Sequence, residues 1–226
     1  TFKNVINYIA GAQTNILGLT ATPGRHTVDT SPEQTRELVS FYDNTLIGMT
    51  DNNGVELVDP ISFLQKEGVL SDVSMETLPG SHVVLSAHDL KECANKLDVS
   101  DSVLSKLGDD HKRTLRVATE VINVVRERKL KTLVFCPSKN NADVLAEFLS
   151  FNGVKAASIT GELAQSLRAE RLHAFKEGKL SVITNFNVLT TGFDDPKIEA
   201  VIIARPTSSV VLYSQMIGRA LRGKKF

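Results

Sequence analysis

Apolar residues in the second half of the chain switch repeatedly between a helical period and short unbroken runs. Leu115 to Arg128 places Val117, Val121, Val124 and Val125 on one side of a helix. Thr132 to Cys136 is a short apolar strand, and Ser138 to Asn141 offer capping side chains before a helix over Ala142 to Phe151. Asn152-Gly153 ends that helix. Lys155 to Ile159 predicts a second strand, Leu167 to Glu177 a helix stopped by Gly178, and Leu180 to Thr184 a third strand. Ala200 to Ala204 predicts a fourth strand, followed by Pro206 and a helix over Ser209 to Ile217. Strands alternating with helices across short connections predict an α/β fold with a parallel sheet, in which ligands gather at the carboxyl ends of the strands.

The first 110 residues carry weaker periodicity. Val5 to Ala10 predicts a helix, and Asn15 to Leu19 a strand running into Thr20-Ala21-Thr22-Pro23. Asp51 to Gly54, between Thr45 to Thr50 and Val55 to Val58, has the Asn-Gly chemistry of a hairpin turn. Pro60 opens a helix reaching Glu67, because a proline at the first helical position loses no hydrogen bond. Ser71 to Asp110 mixes short apolar runs with many acids and predicts a linker and lead-in. The boundaries that follow are 1–60, 61–110 and 111–226.

Composition narrows the class. No apolar run reaches the ~20 residues of a membrane span, and no basic-then-apolar leader opens the chain, which predicts a cytoplasmic protein. Cys93 and Cys136 stand far apart, and His26, His82, His88, His111 and His173 are scattered, so no zinc or disulfide pattern emerges and no metal ligand is assigned. The formal net charge of zero hides an asymmetry: residues 29–110 hold five basic and sixteen acidic side chains, whereas 200–226 hold five basic and none acidic. A local basic surface is what binds phosphates, so zero net charge leaves a nucleic-acid partner open.

Four segments carry candidate chemistry. Leu17 to Arg25 includes two hydroxyls, Thr20 and Thr22, after an apolar strand. Thr132 to Ser138, with Thr160-Gly161 after the next strand, puts a hydroxyl and bare backbone at strand ends, where they suit phosphate contact or a simple turn. Thr184-Asn185 and Thr190-Thr191-Gly192-Phe193-Asp194-Asp195-Pro196 follow the third strand. Gln215-Met216-Ile217-Gly218-Arg219-Ala220-Leu221-Arg222-Gly223 ends with two guanidinium groups three residues apart, planar forks suited to a polyanion. Such a pair alone is usually a solvated helix face, and each of the other segments alone is a common turn or cap.

Taken in order, the four resemble motifs III, IV, V and VI of the superfamily 2 helicases, the DEAD/DEAH-like group. The wording Leu-Thr-Ala-Thr-Pro, Thr-Gly-Phe-Asp-Asp-Pro and Gln-Met-Ile-Gly-Arg looks most like the branch of excision-repair helicases and restriction-enzyme motor subunits. The resemblance implies two RecA-like domains that bind ATP between them, with this chain supplying the tail of the first and the whole of the second. It implies Arg219 and Arg222 as arginine fingers on the γ-phosphate. Gly192, Asp194 and Gln215 would stand at the nucleotide, Asp194 toward the ribose. Thr20 and Thr22 would couple the nucleotide to nucleic-acid grip, and Ser138, Thr160, Gly161, Thr184 and Asn185 would touch the nucleic acid, with DNA the implied partner.

The sequence contains neither a Gly-x-x-x-x-Gly-Lys-Ser/Thr phosphate loop nor an Asp-Glu pair. The first cradles phosphates and the second holds Mg²⁺. The expectation is therefore a C-terminal piece of an ATP- and Mg²⁺-dependent enzyme, itself without ATPase. A non-catalytic nucleic-acid or partner-binding module and an RNA helicase are the alternatives.

Overall fold

The computed structural model describes residues 6, 8–9, 16, 18, 36, 39–43, 45, 47–80, 83–95, 98–190 and 193–223. The chain divides into two compact units, Thr1–Glu56 and Leu57–Phe226. In the first, the turn expected at Asp51 to Gly54 is present. Thr50 and Glu56 form an antiparallel bridge, the Asp51 carboxylate accepts from the Asn53 and Val55 amides at 2.9 Å, and Gly54 takes φ +80°. The predicted segments Val5 to Ala10 and Asn15 to Leu19, and with them Thr20 and Thr22, lie wholly or largely outside the described residues.

The second unit opens with α1, Pro60–Lys66, whose Asp59 cap accepts from the Ser62 amide at 3.1 Å ahead of a proline in the first turn. The stretch expected as linker holds α2, Ala87–Asn95, and α3, Asp101–Gly108, the latter capped by Ser100. Asp110 caps α4, His111–Arg126, which begins four residues earlier than its apolar stripe suggested. There follow β1, Thr132–Phe135; α5, Lys139–Phe151; β2, Ala156–Ile159; α6, Gln165–Lys176; β3, Val182–Asn185; β4, Ala200–Ile203; and α7, Val210–Ile217. A short 3-10 turn, Gly218–Ala220, completes the series.

The four strands form one parallel sheet in the order β2-β3-β1-β4. This is the α/β, RecA-like arrangement that the motifs implied. Both faces of β1 and β3 are covered, which is why those strands read as unbroken apolar runs. Alternate residues then serve opposite cores. Val134, Val182 and Ala204 pack beneath α4 and α5 with Val121, Leu145 and Leu149, while Leu133, Phe135 and Ile183 meet Phe175 of α6 and Met216 of α7 on the other side. A pair of cores of this kind holds the carboxyl ends of the strands level; Ser138, Thr160, Gly161 and Asp194 follow those ends, Thr184 and Asn185 close β3 itself, and Gln215, Arg219 and Arg222 lie on or after α7. Among the described residues no helix is long and apolar enough to cross a membrane.

Candidate nucleotide and nucleic-acid site

The segment between β3 and β4 is anchored by burial of Leu189, Phe193 and Ile198 in the α6/α7 core. Its return to the sheet is fixed by Asp195, 3% exposed, which accepts from Lys131 Nζ at 2.7 Å and from the Lys197 amide at 3.0 Å. Asp195 is thus a structural carboxylate. Its neighbour Asp194 points out to solvent, its side chain 63% exposed. Thr191 and Gly192 lie outside the described residues.

The two arginines behave differently, although they stand three residues apart, Arg219 within the 3-10 turn and Arg222 just beyond it. Arg219 is half-buried: Nη1 donates to the Phe193 carbonyl and Nη2 to the Thr190 carbonyl at 2.6 Å. Its Nε is buried with no hydrogen-bond partner among the described residues. Burial pulls this guanidinium below its ordinary range, the Asp194 carboxylate opposing the shift and Arg222 adding to it. Arg219 therefore spans the loop that carries Asp194. Arg222 makes a two-point pair with Asp194, Nε to Oδ1 at 3.2 Å and Nη2 to Oδ2 at 2.8 Å, and is 37% exposed. Three of the expected nucleotide residues, Asp194, Arg219 and Arg222, are brought together. Gln215 lies half-buried one turn before them on α7.

Among the strand-end residues, Ser138 is half-buried and its hydroxyl accepts from the Asn141 amide at 3.1 Å, capping α5. The neighbouring Asn141 turns inward to donate to the Gly108 carbonyl at 2.9 Å and to Thr114 at 2.8 Å. Thr160 is buried, and its carbonyl with that of Gly161 accepts from Arg168 at 3.1 and 3.4 Å, leaving Gly161 exposed with open space above it. Thr184 and Asn185 depart from expectation. Both are fully buried, with the Thr184 hydroxyl donating to the Ala142 carbonyl at 2.7 Å. The Asn185 amide donates to the Val134 carbonyl at 2.9 Å and its Oδ1 accepts from the Leu189 amide at 3.4 Å. The β3 strand faces a covered layer on each side, so these side chains hold the frame from beneath.

One cluster was invisible in the sequence. Arg205, 6% exposed, follows β4 and donates to Asp98 at 3.2 Å and to Asn187 on the segment after β3. Asp98 also accepts from Thr207 at 2.9 Å and from the Ser208 amide at 2.8 Å, just before α7. Asn187 adopts φ +55°, a conformation that asparagine tolerates better than most residues. Burial lowers the Arg205 guanidinium, with Asp98 opposing. Nothing near Asp98 signals a partner 107 residues away. Among the described residues no group of three or more His, Cys, Asp or Glu is placed to hold a metal ion.

Comparison with known proteins gives a consistent picture. Residues 113–224 match the family described as the helicase conserved C-terminal domain. The chain is similar to IRC3 of Saccharomyces cerevisiae, which carries an ATP-dependent helicase name, at 36% identity over 98 residues, 43% of this chain and 14% of that protein. It is similar to the ATP-dependent RNA helicase vasa of Drosophila melanogaster at 27% identity over 223 residues, 89% of this chain and 33% of that protein. Among solved structures, a fragment assigned to the HsdR subunit of a type I restriction enzyme from Vibrio vulnificus aligns with a TM-score of 0.47 and 26% identity, over 56% of this chain and 26% of that one. The chain spans a third or less of the length of these two relatives.

Proposed function

Since residues 113–224 make this chain a member of the superfamily 2 helicases through their conserved C-terminal domain, we propose that it is the C-terminal motor part of an ATP-dependent helicase or translocase. The observation that carries this reading is the convergence of Asp194, Arg219 and Arg222 on one loop beside the sheet. The site suits a nucleoside triphosphate. An exposed guanidinium fork and an exposed carboxylate satisfy each other here, and phosphate oxygens and a ribose hydroxyl can take over those bonds. Bound ATP supplies the phosphoryl group whose transfer drives the motor. Arg222 then balances charge developing on that group, Arg219 holds the carbonyls of Thr190 and Phe193, and Asp194 accepts from the sugar. By the motif resemblance Gly192 and Gln215 would serve the same nucleotide, and Thr20 and Thr22 would couple it to nucleic-acid grip. The phosphate loop and the Mg²⁺ ligands come from parts of the whole protein outside the motifs found here.

Along the strand ends, Ser138, Thr160 and Gly161 form the nucleic-acid edge, with Thr184 and Asn185 supporting it from below. The motif wording favours DNA. The name of vasa favours a second reading, RNA. Steady-state ATPase of the complete protein, with no nucleic acid, single-stranded DNA, duplex DNA and RNA in parallel, separates them. Stimulation by DNA supports the first reading and stimulation by RNA alone the second. Absence of ATPase with salt-sensitive binding retained replaces both with a non-catalytic binding module.

A further inference from the structure

A contact outside every motif holds the arginine segment. Where α1 ends, the chain turns through Gly68 at φ +71°, and the Val69 and Leu70 amides donate back to the Leu64 carbonyl at 2.9 and 3.1 Å. The next residues lie antiparallel beside Leu221 to Gly223. Leu70 and Arg222 form a β-bridge, the Ser71 amide donates to the Leu221 carbonyl at 3.0 Å, and the Gly223 amide donates to the Val69 carbonyl at 2.9 Å. The Ser71 hydroxyl donates to the carbonyl of Arg222 itself. The helix end braces the strap in turn, Gln65 donating to the Ser71 carbonyl at 3.2 Å.

The fit is close. A Cβ on Gly223 would stand 2.2 Å from the Gly68 carbonyl oxygen and 2.7 Å from the carbonyl carbons of Gly68 and Val69. All three are backbone atoms, so no side-chain rotation relieves the clash, and the two segments would have to part by about 1 Å to reach ordinary contact. Glycine at 223 is what lets them meet. The backbone of Arg222 is thereby fixed from one side by the strap, while its guanidinium reaches Asp194 on the other.

We propose that the strap Val69–Ser71, with Gly223, is a positioning element for Arg222, setting the origin from which that side chain reaches the nucleotide. This rests on the nucleotide reading of Arg222 given above. Catalytic groups must be held within a fraction of an ångström, and a shift of about 1 Å far from the chemistry costs about 100-fold in rate. A charge that acts on the transition state shows its loss in kcat more than in KM.

The test uses the complete protein at saturating nucleic acid, with kcat and KM for ATP measured for Gly223→Ala, Ser71→Ala, Arg222→Ala and both double variants. Thermal unfolding accompanies each. Gly223→Ala should lower kcat about 100-fold, and Ser71→Ala, which loses one hydrogen bond and keeps the fold, about fivefold, with KM nearly unchanged in both. On the Arg222→Ala background neither should lower kcat further, since both act through that side chain. Losses that multiply with Arg222→Ala, or wild-type kcat in both strap variants beside a dead Arg222→Ala, overturn the strap and leave the nucleotide reading standing. Full kcat in Arg222→Ala overturns both.

Discussion

Replacing Thr184 separates two roles that its position at the end of β3 makes equally natural. The side chain is completely buried and its hydroxyl donates to the Ala142 carbonyl at 2.7 Å, tying the central sheet to the first turn of α5. Thr184→Val keeps the shape and removes the donor. Because Ala142 lies within a continuing α-helix, its carbonyl retains the amide four residues on, and the cost is that of one ordinary hydrogen bond, about 1 kcal/mol. Thr184→Ala deletes a buried methyl group as well, worth roughly another 1 kcal/mol. In a unit of this size a loss of 2 kcal/mol lowers the melting temperature by about 4–8 °C. Thr184→Ser keeps the hydroxyl and should recover about half of that loss. Urea and thermal unfolding of the four proteins, beside nucleic-acid binding at fixed salt, give the readout. If Thr184→Val and Thr184→Ala melt like wild type yet bind nucleic acid more weakly, the inward role is wrong and direct contact takes its place.

Other expectations follow from the same geometry. Arg222→Ala in the complete protein should reduce kcat by about 10³-fold or more while leaving nucleic-acid affinity nearly intact, and an unchanged turnover removes it from the nucleotide site. Asp98→Ala leaves the Arg205 guanidinium, its side chain 4% exposed, with an unpaired buried charge; denaturant titration should find about 3 kcal/mol of destabilisation or more, and a loss below 1 kcal/mol would show that the cluster is idle. Desolvation pushes the buried Cys136 thiol from 9.0 up to about 12. Between those values the unfolded thiol ionises and the folded one does not. Its contribution is therefore fully present below pH 9 and is lost as pH rises toward 12. Stability measured across that range should fall more steeply in wild type than in Cys136→Ala; equal slopes would place the thiol in water.

Much of the fold follows from local pattern. Helix and strand periods are properties of the backbone, so the stripe of Val117, Val121 and Val124 announces α4, and the apolar runs at Thr132 and Ala200 announce strands, the first buried and the second half-buried at the sheet edge. The short-range chemistry of Asp51 to Gly54 and of Asp59-Pro60 was legible for the same reason, since donor and acceptor lie within four residues. The order of the motifs likewise put Asp194 after the third strand and both arginines after the last helix. Capping was legible only in part: Ser138 and Asn141 are both able to cap, but Ser138 does so while Asn141 turns to Gly108 and Thr114. Orientation was out of reach in the fully covered strands. A run buried on both faces shows no alternation, so nothing local tells Thr184 or Asn185 whether to face solvent or core. Nor does anything near Arg222 distinguish it from Arg219; their roles diverge because one finds the carbonyls of Thr190 and Phe193 and the other finds Asp194. The pairings of Arg205 with Asp98 and of Ser71 with Arg222 join residues 107 and 151 positions apart. Neighbour-to-neighbour backbone preference carries no information at that range, and only the packing of the two sheet faces decides which distant surfaces meet.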